Sequence, residues 1–123
     1  MTLAAAIILA TALGGLSLYA LYAVIRPHGR VWWPGALHGV AGIAGLALLV
    51  RALGVEPPRG LSSGAGSFGT IAAVLIGAGL LLGLAAFAAR WRRRPAGMLL
   101  LGSHATLAVA GLTMLAAYLS APS

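Results

Sequence analysis

The chain has 123 residues, of which 61% are hydrophobic and only 7% are charged. Soluble domains carry about 25% charged residues, so this composition excludes a soluble globule with a solvated surface. All eight basic residues are arginines, Glu56 is the single acid and there is no cysteine, which excludes paired-carboxylate and thiolate chemistry. The arginines flank apolar segments, so the net charge of +7 indicates membrane topology and lipid head groups rather than nucleic-acid binding.

Four apolar segments follow one another along the chain, at residues 3–25, 31–53, 68–89 and 97–119. Each has 22 or 23 residues, which as a helix is enough to cross a hydrocarbon core of about 30 Å. We therefore predict an all-α integral membrane protein, a four-transmembrane-helix bundle that forms one domain over residues 1–123. The first segment has no basic region before it, so we expect it to be retained as a helix rather than removed as a signal peptide.

The connections between the segments predict the orientation in the membrane. The first loop, residues 26–30, and the third loop, residues 90–95, together hold six arginines. The positive-inside rule makes these loops cytoplasmic, so the neutral loop at 54–67 and both termini are predicted to be periplasmic, in a bacterial-type inner membrane. Tryptophans typical of an interfacial belt lie beside the arginine-rich loops: Trp32, Trp33 and Trp91.

The two halves of the chain resemble each other when they are aligned with an offset of 66 residues. This offset pairs His38 with His104 and Arg26 with Arg92, among many less informative Ala and Leu matches. We predict a duplicated helical hairpin, and because an offset of two crossings preserves direction, the repeats are parallel. The predicted repeats cover residues 1–53 and 67–119.

Two histidines, His38 and His104, lie inside predicted membrane helices. Both follow the start of their segment by seven residues and both helices run outward from the cytoplasmic side, so the imidazoles are expected at the same depth. Ionisable residues within the membrane mark functional sites by default. Small residues on the same helix faces form a seam that can admit a flat ring: Gly35, Gly42 and Gly45 with His38, and Ala108 and Gly111 with His104.

This pair of imidazoles suits axial ligation of one haem iron, because neutral histidine is a good iron ligand and bundle interiors are where such cofactors bind. Without cysteine for covalent attachment, the haem would be of the b type. Its propionates need cationic partners, and we predict Arg26 and Arg92, in the nearby arginine-rich loops, for this role.

Three other interpretations stay open at this stage. Each histidine can simply hydrogen-bond a neighbouring helix. Each can instead bind its own (bacterio)chlorophyll magnesium. The chain can also be an accessory or scaffold subunit, without a cofactor, of a respiratory or photosynthetic complex. A transporter is disfavoured because the segments contain no carboxylate.

The seam of a histidine followed by small residues resembles that of small membrane b-type cytochromes and of the cytochrome b subunits that anchor respiratory enzymes. The residues that carry this resemblance are His38, Gly42, Gly45, His104, Ala108 and Gly111. The resemblance implies electron transfer between a quinone or partner subunit and another redox centre, by a carrier or subunit rather than by an enzyme acting alone. Two membrane histidines permit one bis-histidine haem, whereas two-haem members of such families carry four.

Overall fold

The computed structural model describes residues 1–25 (side chains as far as Leu21), 32–57, 59–60, 62–92 and 94–122. It contains four long helices: α1 (Thr2–Ile25), α2 (Trp33–Val55), α3 (Phe68–Trp91) and α4 (Met98–Ser120). A short 3₁₀ helix, Ala65–Ser67, leads into α3, and the described residues include no strand. The predicted four-helix bundle is confirmed, and each predicted helix end lies within two residues of the observed one.

Prolines account for three of the helix boundaries. Pro34 lies in the first turn of α2, where its missing N–H is not needed. The helix ends at Val55, just before Glu56 and Pro57, because the residue that precedes a proline avoids helical geometry. In the same way α4 ends before Pro122.

The outer surface of the bundle is apolar. All four helices are long and apolar enough to span a membrane. The buried core is small, whereas many large hydrophobic side chains, such as Met98 at 91% exposure, point outward. A soluble protein could not leave so much apolar surface in water. The chain is therefore a multi-pass membrane protein whose outer surface contacts lipid.

The helices pack unequally. The contact between α3 and α4 is the most extensive, those of α1 with α2 and of α2 with α3 are intermediate, and α1 barely touches α4. In the described residues the backbones of α2 and α4 do not contact each other, so these two helices lie diagonally across the bundle. The core cluster connects all four helices at one level: Ala4, Ile8, Leu49, Ala72 and Leu115.

The end of the bundle formed by the second connection is closed by hydrogen bonds. The N–H of Gly60 donates to the carbonyl of Pro122 at 3.0 Å, and the N–H of Arg59 donates to the phenolic oxygen of Tyr118 at 3.3 Å. Glu56 pairs with the N-terminal amine at the same end. The connection between α2 and α3 is thus fastened to the end of α4.

The opposite end carries aromatic side chains. The rings of Trp32 and Trp91 meet edge to face with centroids 5.9 Å apart, and Phe87 lies 6.1 Å from Trp91. These rings join the start of α2 to the end of α3. Amphipathic aromatic rings favour a membrane interface, so this end suits the head-group level.

Candidate functional site

The two membrane histidines meet in the interior of the bundle. His38 lies five residues after the start of α2 and His104 six residues after the start of α4, so both are about 8–9 Å along their helices. Their ring centroids are 6.1 Å apart and the ring planes are inclined at 82°. Since α2 and α4 are diagonal helices, the imidazoles span the bundle where the two backbones do not contact each other.

His104 is held by the backbone of α3. Its Nδ1 lies 2.7 Å from the carbonyl oxygen of Gly79. A carbonyl can only accept, so Nδ1 carries the proton and Nε2 keeps its lone pair. The ring reaches this carbonyl because Gly83, one turn further along α3, has no side chain. A Cβ at Gly83 would lie only 2.9 Å from Cε1 and 3.0 Å from Nδ1 of the ring.

His38 lies against α1 in a similar way but makes no such bond. A Cβ at Gly15 would lie 2.7 Å from its Cε1, so this glycine is needed for the ring to fit. The backbone of Thr11 interacts with the ring, but no hydrogen bond of normal geometry reaches the buried Nδ1 in the described structure. A buried polar atom without a partner is costly, so His38 is the less satisfied member of the pair.

Corresponding contacts recur in the two hairpins. The contact of His38 with Gly15 corresponds to that of His104 with Gly83. Likewise, the close approach of Gly45 to Ile8 corresponds to that of Gly111 to Ile76. The residues on α2 and α4 are related by an offset of 66, whereas their partners on α1 and α3 are related by an offset of 68. Matching the contacts therefore requires a two-residue gap that the ungapped alignment lacks. Duplication itself stays a prediction.

Two of the predicted seam glycines are positions of close helix packing. A Cβ at Gly45 would lie 2.8 Å from Ile8 Cγ1, and a Cβ at Gly111 would lie 2.6 Å from Ile76 Cγ1. The isoleucines of α1 and α3 therefore occupy the space that these glycines leave. In the structure both glycines serve close approach of neighbouring helices, as small residues commonly do in membranes.

The remaining seam residues also face neighbouring helices. A Cβ at Gly35 would lie 3.3 Å from the ring of Phe87, and one at Gly42 would lie 3.4 Å from Leu80. Ala108 is next to Gly79, where an added Cβ would lie 3.5 Å from the Ala108 nitrogen. Of the seam, Ala108 is thus closest in the structure to the His104 anchor. Cofactor contact by these five residues stays a prediction.

The arginines predicted to contact propionates cannot all be located. Arg26 lies outside the described residues, as do His28 and Arg30 in the same loop. Arg92 is exposed and follows α3 directly, about 13 Å along the axis from the level of Gly83. It is at the aromatic end of the bundle, the end nearer to the histidines, so its predicted role stays open.

Few other polar groups approach the pair. The hydroxyl of Thr106 donates to the carbonyl of Gly102 at 2.9 Å, a bond within its own helix. The described residues contain no group of three or more His, Cys, Asp or Glu side chains that could hold a metal ion.

Sequence reasoning missed the odd-numbered helices as part of this site. Gly15, Gly79 and Gly83 set the positions of both rings. The predicted seam, in contrast, includes only residues of α2 and α4, the helices that carry the histidines. A signal for them exists in the sequence. With an offset of 68, Gly15-Leu16 matches Gly83-Leu84, and an aromatic residue follows each glycine after four positions.

Comparisons with known proteins give no further indication of identity. The chain matches no protein-family description, no curated protein and no solved structure.

Proposed function

We propose that this protein is a membrane electron-transfer protein that binds one b-type haem between α2 and α4, with His38 and His104 as the axial ligands. The observation that carries the proposal is the meeting of the two imidazoles in the bundle interior, with centroids 6.1 Å apart. An imidazole nitrogen binds a metal at about 2 Å, and the ring centre lies about 1 Å beyond it. Two imidazoles on opposite sides of one ion therefore have centroids about 6 Å apart.

The donor set and its surroundings fit this group in three further respects. Each ligand ring contains its metal–nitrogen axis, so a mutual inclination of 82° is compatible with a shared ion. The Gly79 carbonyl leaves Nε2 of His104 as the free nitrogen, as is usual for metal-binding histidines. The weak contact between α1 and α4 makes that face the one most easily opened for a planar group.

A bound haem would supply a one-electron redox couple, and the residues of this chain would tune and shield it. His38 and His104 would hold the group, and the apolar helices would keep water away from it. Arg92 and the predicted Arg26 provide positive charge toward one end, where propionates would be stabilised. In this scheme the chain is a carrier, or the membrane subunit of a larger redox complex that exchanges electrons with a quinone or a partner subunit.

The test is a dithionite-reduced minus oxidised spectrum of the protein purified in detergent. We expect a b-type α-band for the unmodified protein and its loss in His38→Ala and in His104→Ala. His28→Ala serves as the matched control, because this histidine lies between the predicted membrane segments, and should keep the band. A colourless protein with full helicity, after expression with ample haem, would contradict the proposal.

One observation favours a second candidate, a cofactor-free accessory or scaffold subunit. Ile8 and Ile76 occupy the seam at Gly45 and Gly111, and the Gly79 carbonyl satisfies His104 within the bundle. In that case the His104 bond is a helix-to-helix contact and the exposed apolar faces bind partner helices. Co-purification with a redox or photosynthetic complex, together with the absence of any chromophore in this chain, distinguishes this candidate from the haem protein.

For the membrane orientation, we propose that the arginine-rich connections are cytoplasmic and that both termini are periplasmic, in a bacterial-type inner membrane. The chain contains no cysteine, so single-cysteine variants report topology without background. Ser62→Cys, in the connection before α3, should react with a membrane-impermeant maleimide in intact spheroplasts. Ala96→Cys, just before α4, should react only after lysis, and the reverse pattern would overturn this orientation.

A further inference from the structure

The two histidines differ in what holds them, although they are related in sequence. His104 donates from Nδ1 to the carbonyl of Gly79 at 2.7 Å, whereas the buried Nδ1 of His38 has no partner in the described structure. We propose that the two are inequivalent. The backbone of α3 fixes His104 as a pre-oriented Nε2 donor, with Gly83 as a positioning residue, and His38 is the replaceable partner. The part of this proposal that concerns haem rests on the proposed function.

Gly79 and Gly83 act together in orienting His104. They are one helical turn apart. Because Gly83 has no side chain, the ring can approach the Gly79 carbonyl. A hydrogen bond from one ring nitrogen to a backbone carbonyl fixes the tautomer and makes the other nitrogen a better ligand. The same bond also limits rotation of the ring. His104 thus has a defined free nitrogen before any metal binds.

His38 has the same clearance but lacks the anchor. Gly15, which has no side chain, leaves space for the His38 ring. With an offset of 68 residues, Thr11 in the first hairpin corresponds to Gly79 in the second. Thr11 carries a side chain whose methyl group faces Gly42, and its hydroxyl donates to Ile7 within α1. The Thr11 backbone approaches the ring, but no hydrogen bond of normal geometry reaches Nδ1, so it selects one tautomer of His38 less strongly than Gly79 does for His104.

The first test uses the protein without haem. Protein with ¹⁵N-labelled histidine is prepared in detergent micelles at a pH where imidazole is neutral, and the ring nitrogen shifts are assigned with the His38→Ala and His104→Ala variants. We expect His104 to have a protonated Nδ1 and a bare Nε2, and His38 to show exchange between tautomers. Identical tautomer behaviour of the two rings overturns the proposal, whether or not haem binds.

A pair of glycine variants on α3 separates orientation from general packing. Gly83→Ala places a methyl group 2.9 Å from Cε1 of His104, so the ring must turn away and lose the bond to Gly79. Gly77→Ala is the matched control, because its Cβ meets only Leu46 at an ordinary 3.6 Å. We expect the His104 tautomer signature to disappear in Gly83→Ala and to persist in Gly77→Ala. Persistence in both variants overturns the positioning role.

The second test uses the haem-loaded protein. We expect His38→Ala to retain haem in a five-coordinate form that lacks the b-type α-band and to recover a six-coordinate spectrum when free imidazole is added, whereas His104→Ala loses most of the haem and is not rescued. Gly83→Ala should lower haem affinity by about 10-fold or more, the usual effect of removing a group that orients a ligand. Equal rescue of both histidine variants overturns the assignment of His38 as the replaceable partner. If no variant binds haem while the tautomers differ as expected, the proposed function fails and the inequivalence of the histidines stands.

Discussion

The two hairpins of this bundle use similar residues but differ in tightness. Among the described residues, α3 and α4 of the second hairpin share the most extensive contact, whereas α1 and α2 pack less closely. A Cβ at Gly111 would meet backbone atoms of α3, Ile76 N at 3.1 Å and Ala72 O at 3.3 Å. The corresponding Cβ at Gly45 would come no closer than 3.5 Å to Ile8 N. The closely packed second hairpin thus holds His104 in place, whereas His38 belongs to the less closely packed first hairpin.

The largest expected effect is at Gly111. In Gly111→Ala the added methyl group lies 2.6 Å from Ile76 Cγ1 and close to backbone atoms that cannot move independently of α3. Overpacking of this kind costs about 1–3 kcal/mol. Unfolding in mixed dodecyl sulfate micelles, followed by circular dichroism, measures the loss of stability. Gly102→Ala on the same helix has nothing within 4 Å of its Cβ and should be neutral or slightly stabilising.

A smaller effect is expected at the end of α4 where the second connection is fastened. Tyr118→Phe keeps the buried ring but removes the oxygen that accepts from Arg59 N–H at 3.3 Å, which should cost about 1 kcal/mol. The first hairpin has Ala52 at the corresponding position, so this tether belongs to the second hairpin alone. Faster amide hydrogen exchange at Arg59 in the variant would show the loss of the bond. Unchanged exchange and stability would mean that the tether does not contribute to the difference between the hairpins.

The smallest effect is expected at Gly45, and it is the one that most directly tests the comparison. Gly45→Ala meets Ile8 Cγ1 at 2.8 Å, but this is a side-chain atom that can rotate, and alanine favours the helix over glycine by up to about 1 kcal/mol. We expect a net change below about 1 kcal/mol in the same micelle assay. Gly39→Ala, whose Cβ has open space, is the control on α2. A loss at Gly45 equal to that at Gly111 would remove the distinction between a rigid and a looser hairpin.

The sequence predicted the fold almost completely but the site only in part. Hydropathy locates the helices because lipid demands about 20 apolar residues for each crossing, and proline and glycine mark the ends. Equal depth of His38 and His104 also follows from counting residues, and the structure brings the two rings together.

The surroundings of the rings could not be predicted, because they depend on how neighbouring helices are rotated and shifted. At Gly45 and Gly111, where we predict contact with a flat ring, the structure packs Ile8 and Ile76 against the glycines. The space for the two rings is instead on α1 and α3, at Gly15 and Gly83. An alignment of the two halves with an offset of 68 residues pairs these two glycines.

The weak contact between α1 and α4 has a consequence for assembly. Each hairpin can insert into the bilayer as a finished unit, and joining them requires the α2–α3 interface, which already links the hairpins through the core. The contact between α1 and α4 then adds little to the free energy of folding. If the proposed haem binds, the α1–α4 face is where it would displace the fewest helix contacts on its way into the bundle. We therefore expect the proposed haem to enter the folded protein from the membrane plane rather than from the water on either side.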